Sequence, residues 1–145
     1  MSFNFELPET KGTYCILFVI DTLLFKVKSG KQFLLKKGVY VYVGSAFGSG
    51  GLRKRISRHL RKKKKKHWHL DFISTDSSFK VLEIWIIEDR KLECSLANSI
   101  SETEKPVIGF GSTDCNCPSH LFRVSEVENL RKRLLEKFNV KIFKI

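Results

Sequence analysis

Between residues 38 and 72 the chain collects side chains suited to holding a phosphate. They are the phenols Tyr40 and Tyr42, a loop rich in glycine and serine from 44 to 51, and Arg55 and His59 within a basic run. Glycines let backbone N–H groups approach an anion, and a helix beginning after such a loop presents partial positive charge there. Arg55 and His59 are one helical turn apart, so they stand one above the other. Cleaving a phosphodiester with water requires an activated nucleophile, a cation on the developing phosphorane charge and help for the leaving oxygen. The planar fork of Arg55 suits the second task, because it pairs with a phosphate at two points. A phenol with a pKa of about 10 is a poor base unless a cation lowers that value.

These residues need a scaffold. Val39, Val41 and Val43 alternate with Tyr40 and Tyr42, so 38–44 is expected as a strand. In a helix starting near Leu52, Leu52, Ile56 and Leu60 form the buried stripe, with Arg55 and His59 beside it and Lys54 and Arg61 pointing away. Residues 12–20 (GTYCILFVI) are apolar on both faces of a strand, which places them mid-sheet under helices. Residues 23–28 and 31–35 are expected as a hairpin around Ser29-Gly30, and 80–87 as a third strong strand. Leu92, Leu96 and Ile100 repeat at helical spacing, and 107–118 is an irregular loop. After a short strand at 121–124, Ser125 and Glu128 are expected to form a capping box. It would open a helix running to about Phe138, with Leu130, Leu134 and Leu135 inward, before a last strand at 140–145.

The 145-residue chain is 42% apolar and carries a formal charge of +12. A single domain over residues 1–145 with a real core is expected. Most of the excess charge lies between Arg53 and Lys66, a patch that suggests a polyanion. Nucleic acid comes first and an acidic membrane surface second. The opening MSFNFELPETKG lacks the basic start and apolar stretch of a secretion signal. The apolar run 14–20 stops at Asp21, too short to span a bilayer. A cytoplasmic protein without a membrane partner is therefore expected. In a reducing compartment Cys15, Cys94, Cys115 and Cys117 are expected as free thiols, although the Lys, Ile and Phe content would also suit a hyperthermophile, where that rule loosens.

Gly12-Thr13-Tyr14, Tyr42-Val43-Gly44, Leu52-x-x-Arg55-x-x-x-His59 and a carboxylate on a later helix, in this order, resemble the GIY-YIG nuclease superfamily. Thr13 and Val43 depart from the two triplets but keep a β-branched residue. The spacing between the triplets is wider than usual, which places the hairpin around Gly30 as an insertion. Together with YVGSA, HWHLD, the Glu93-Cys94 pair and GFGSTDCNCPSHLF, the pattern looks like one archaeal and bacterial branch. That branch has long been known as a domain of unknown function and is sometimes fused to endonuclease III-type proteins. The resemblance covers about residues 10–124, with 125–145 adding the C-terminal helix and strand. It implies an α+β fold (an α/β sandwich), with a small, mostly antiparallel sheet flanked by helices. It also implies phosphodiester cleavage with one divalent ion, Mg²⁺ or Mn²⁺.

By that resemblance Tyr14 and Tyr42 line the active site, one of them contacting the attacking water, with Tyr40 a weaker candidate on the same face. Glu93 is the matched metal ligand, and Glu83 is the fallback. His59 orients the water or donates to phosphate. If 67–69 is extended, His67 and His69 face one way and Trp68 the other. Either one of them is the second catalytic histidine of some relatives, or the segment is a Trp-anchored surface turn. Gly44, Ser45, Arg53, Arg58, Arg61 and Lys62, Lys63, Lys64, Lys65 and Lys66 are expected to contact nucleic acid. The lysine run would act as point charges that position a duplex without reading it. Cys94, Cys115, Cys117 and His120 are too closely spaced for a zinc ribbon, so structural zinc is not expected, and Cys94 is expected as buried helix packing.

The expected function is a metal-dependent endonuclease acting on DNA in repair or processing. The alternative is a nucleic-acid-binding module with a degenerate site, suggested by Thr13, the wide triplet spacing and the lack of a matching Asn. Asn98 is too near the carboxylate and Asn116 lies in the irregular loop. RNA as the partner rests on charge alone.

Overall fold

A strand whose two faces are both apolar must lie where both faces are covered. In the computed structural model, which describes residues 7–111 and 117–145, β1 (Gly12–Ile20) is buried at every position but one. It lies between β4 (Gly38–Ala46) and β5 (Lys80–Glu88), antiparallel to both. Short strands extend the sheet: β7 (Leu121–Arg123) and then β6 (Lys105–Pro106) beyond β4, and β8 (Lys141–Lys144) beyond β5. All of these pairings are antiparallel.

The alternation of β1 sorts the core into two layers. Tyr14, Ile16, Phe18 and Ile20 meet Leu52 and Ile56 of α1 (Gly51–Leu60) and Ile73 of α2 (Asp71–Ser74). Cys15 and Leu17 meet Leu96, Ala97 and Ile100 of α3 (Glu93–Ser101) and Leu130 and Leu134 of α4 (Val127–Phe138). The fold is α+β, with helices on both faces of one mainly antiparallel sheet. Between β1 and β4 the chain forms a separate hairpin of β2 (Leu23–Lys26) and β3 (Gln32–Leu35). Phe33 and Leu35 close over the first layer, while Leu24 and Leu34 face outward.

Two local expectations fail at α4. There is no capping box: Ser125 gives its backbone N–H to the Glu104 carboxylate at 2.8 Å, and the N-cap is Glu126, without a side-chain cap. Leu135 is 40% exposed, because one step past Leu134 turns the side chain about 100° away from the buried stripe. No helix among the described residues is long and apolar enough to cross a membrane.

Candidate active site

In the β1–β4 register Tyr14 lies opposite Gly44. A Cβ on Gly44 would come within 2.5 Å of Tyr14 Cζ and Oη, so the bare backbone there is what lets the phenol lie across β4. Gly12 answers a similar constraint, since a Cβ there would meet the Ile87 carbonyl oxygen at 2.3 Å. The Tyr14 hydroxyl sits 2.8 Å from His59 Nε2 on α1. The Tyr42 ring completes the group, 6.5 Å from Tyr14 and 5.9 Å from His59, centroid to centroid.

The electrostatics of this group are those of a shielded pocket. Burial raises the Tyr14 pKa, Tyr42 and Glu93 push it further, and Arg55 pulls against them. Burial also raises Tyr42, with Glu93 adding to it and Arg55 opposing. Burial, with help from Lys64, lowers His59 to about 3, so its imidazole is neutral at ordinary pH. His59 Nδ1 has no hydrogen-bond partner among the described residues. The Arg55 guanidinium stands 4.8 Å over the Trp68 ring, which fixes the direction of its fork.

Glu93 reaches the group from the opposite layer. It opens α3, and α3 is held to β1 by Thr13, the residue next to Tyr14. The buried Thr13 hydroxyl donates to the Arg90 carbonyl at 2.7 Å and accepts the Leu92 N–H at 2.9 Å. Thr13 thus has a structural task. Glu93 Oε2 lies 3.2 Å from Nδ1 of His120, which is buried beside β4, its carbonyl accepting the Val43 N–H. His120 was legible only as a cysteine-loop histidine, not as the partner of Glu93.

A hard divalent ion suits this arrangement. Glu93 is the one carboxylate whose charge raises both phenols, its side chain is 24% exposed, and a cation beside it would reverse its effect on each phenol. A single carboxylate with water filling the remaining positions is a common way to hold Mg²⁺. Glu83 does not serve as a fallback. It is buried in the other layer, accepting Arg131 Nε and Trp85 Nε1, each at 2.9 Å.

Asp71, the last residue of HWHLD, proves to be the organiser of the basic segment. Its buried carboxylate takes Arg58 through both terminal guanidinium nitrogens at 2.8 and 2.9 Å, and the backbone N–H groups of His67 and Trp68 at 2.8 Å each. Burial alone would raise its pKa; Arg58, the two N–H groups and Lys64 outweigh that and hold it at about 2. Residues 67–69 are therefore not extended. They form a turn into α2, with Asp71 N–H on the Trp68 carbonyl. His67 points outward beside Trp68, while His69 turns inward, 5.3 Å from Phe110.

The lysine run is not a uniform string of free charges. Lys64 Nζ binds the Arg58 and His59 carbonyls at the end of α1 and lies 3.6 Å from Asp71. Lys62 binds the Asp76 and Phe79 carbonyls. Lys63, Lys65, Lys66 and Arg61 are exposed. Arg53 donates to the Leu7 carbonyl and ties the N-terminal arm to α1. Ser45 is half-buried near the end of β4. Tyr40 stacks on Phe18 and gives its hydroxyl to the Lys36 carbonyl at 2.6 Å, which commits it away from the Tyr14–His59 pair.

The cysteines differ from expectation. Cys15 and Cys117 are free thiols, but Cys94 is disulfide-bonded. Cys94 is also exposed at the start of α3, so it is not core packing. Cys94, Cys117 and His120 offer ligand atoms within 4.8 Å of one another, with Cys94 lacking a free thiolate as it stands. Cys115 and Asn116 lie outside the described residues.

Comparison with known proteins gives one family. A family model described as a domain of unknown function, DUF123, matches residues 13–142. No curated protein and no solved structure matches.

Proposed function

The chain belongs to the DUF123 family, and from its motif order and the geometry of the Tyr14–His59 site we propose that it is a GIY-YIG-type, metal-dependent endonuclease hydrolysing phosphodiester bonds in DNA. The observation that carries the reading is the Tyr14 hydroxyl 2.8 Å from a neutral, buried His59, with Arg55, Tyr42 and Glu93 all close enough to shift the phenols. Residues that are far apart in sequence converge on one phenol pair, as a hydrolytic centre requires.

In this reading Arg55 pairs with two oxygens of the scissile phosphate and meets the charge that grows on them. Tyr14 takes the proton of the attacking water as its own phenolic proton moves to His59 Nε2. Burial and Lys64 oppose the imidazolium this leaves, and the negative charge of Asp71 offsets part of that cost. Tyr42 orients the water. Glu93 would hold the divalent ion, which supplies positive charge beside the phenols and lowers the cost of a phenolate. The exposed cations of the lysine run position the nucleic acid by its phosphates.

The test is nicking of plasmid and labelled oligonucleotides with Mg²⁺ or Mn²⁺, beside Arg55→Ala and Glu93→Ala. Metal-dependent cleavage by the wild type, lost in both variants, supports the reading. Salt-sensitive binding without turnover on duplex, single-stranded and branched substrates, unchanged by Glu93→Ala, would leave only a nucleic-acid-binding module.

A further inference from the structure

Beside the Tyr14–His59 pair, the β4–α1 loop and the outer side of α1 enclose a groove of about 500 Å³. This lies within the range of ~300–1,000 Å³ common for small-ligand sites. Its lining includes Lys54, Arg55, Arg58, Arg61, Ser57 and Trp68, and no acidic side chain. Lys54 and Arg61 are exposed and make no ion pair among the described residues. Arg58 is held rigid by Asp71. Trp68 is 39% exposed, although an indole of this size is usually well covered, and Arg55 lies over its ring at 4.8 Å. Arg55 therefore touches both parts of the surface: it acts on Tyr14 on one side and stacks on Trp68 on the other.

A cationic groove with one aromatic wall combines the two elements that hold a single strand, namely charges for phosphates and a flat ring for a base. A base inside a duplex cannot offer its face to such a ring, whereas an unpaired one can. We infer that this groove receives an unpaired nucleotide of a DNA strand, its base against Trp68 and its phosphates on Lys54 and Arg61. The preferred substrate then carries a single-stranded segment next to the cut, as in a tail, flap or gap. The position relative to the cut rests on the reading that Arg55 holds the scissile phosphate; the binding itself does not.

Trp68 reports on its own occupancy. The chain has two tryptophans, and Trp85 is buried with its indole N–H on Glu83. The experiment is a fluorescence and affinity titration in EDTA, where no metal-dependent cleavage occurs. The probes are a dT oligonucleotide, a blunt duplex of equal length, the same duplex with a single-stranded tail, and an rU oligonucleotide. The dT and tailed probes are expected to change indole fluorescence saturably; the blunt duplex is not. Trp68→Leu should weaken dT and tailed binding ~5- to 150-fold, the range for one base on one ring, and weaken blunt-duplex binding by much less, only through the loosened Arg55. Trp68→Phe should restore most of the preference, with melting curves showing that both variants fold. An equal fluorescence change with blunt duplex, an unchanged dT affinity in Trp68→Leu, or binding of rU with dT excluded would each overturn the inference. If dT binds through Trp68 and nothing is ever cut, the groove stands and the nuclease reading falls. If blunt duplex is cut and Trp68 is silent, the reverse holds.

Discussion

The Tyr14 hydroxyl and His59 Nε2 meet at 2.8 Å where each residue exposes about 1% of its surface. The pair ties β1 to α1 and makes stability depend on pH. His59 titrates at about 3 when folded, against 6.5 for the free side chain. Between those values the unfolded chain binds more protons. Stability is therefore full above about 6.5 and falls as pH drops toward 3, by at most ~1.4 kcal/mol per pH unit. Denaturant midpoints measured from pH 8 to 4 should decline across this window. In His59→Gln, which keeps an acceptor for Tyr14 without a titrating ring, the decline should flatten.

Asp71 adds a separate acid loss, because its folded pKa of about 2 lies below the ordinary 3.8. That contribution is present above pH 4 and disappears as pH falls toward 2. Asp71→Asn leaves Arg58 and Lys64 without their shared counter-charge and loosens the turn at His67 and Trp68. It should cost about 3–5 kcal/mol, the scale for breaking one side of a buried pair. Chemical denaturation at neutral pH reads this directly. Lys63→Gln, at an exposed position, should change stability by less than ~0.5 kcal/mol.

Thr13→Val keeps the shape of the side chain and removes the hydroxyl that joins Arg90 and Leu92. The Leu92 N–H loses its acceptor, at a cost of about 1–3 kcal/mol. Hydrogen exchange should speed up first at the start of α3. If the proposed cleavage is observed, half-maximal activity should require more metal, because Glu93 is no longer held.

Gly44→Ala would drive a methyl group to 2.5 Å from the Tyr14 phenol. Overpacking of this kind costs ~1–3 kcal/mol, and here it also displaces the hydroxyl from His59. Gly48→Ala is the control, with nothing within 4 Å of its Cβ, and should melt like the wild type.

The layers were legible because β1 is apolar on both faces and α1 carries Leu52 and Ile56 one turn apart, patterns that only burial explains. The hairpin around Gly30 was legible from its turn chemistry. What could not be read was pairing across distance. Nothing near Asp71 announces that it gathers Arg58 and Lys64, and a lysine run looks solvated until the carbonyls it caps are in place. The same holds for Glu93 and His120, which meet only because β7 lies against β4. The capping box failed for the complementary reason: a local motif lost its serine to a distant carboxylate, Glu104.

Tyr14 and Thr13 are neighbours on a central strand and face opposite layers, one toward His59 and the other toward α3. The phenol comes from near the start of the chain, whereas His120 is supplied only when the final third joins the sheet. A chain emerging from the ribosome consequently leaves Glu93 without its imidazole neighbour until roughly residue 121 has docked against β4.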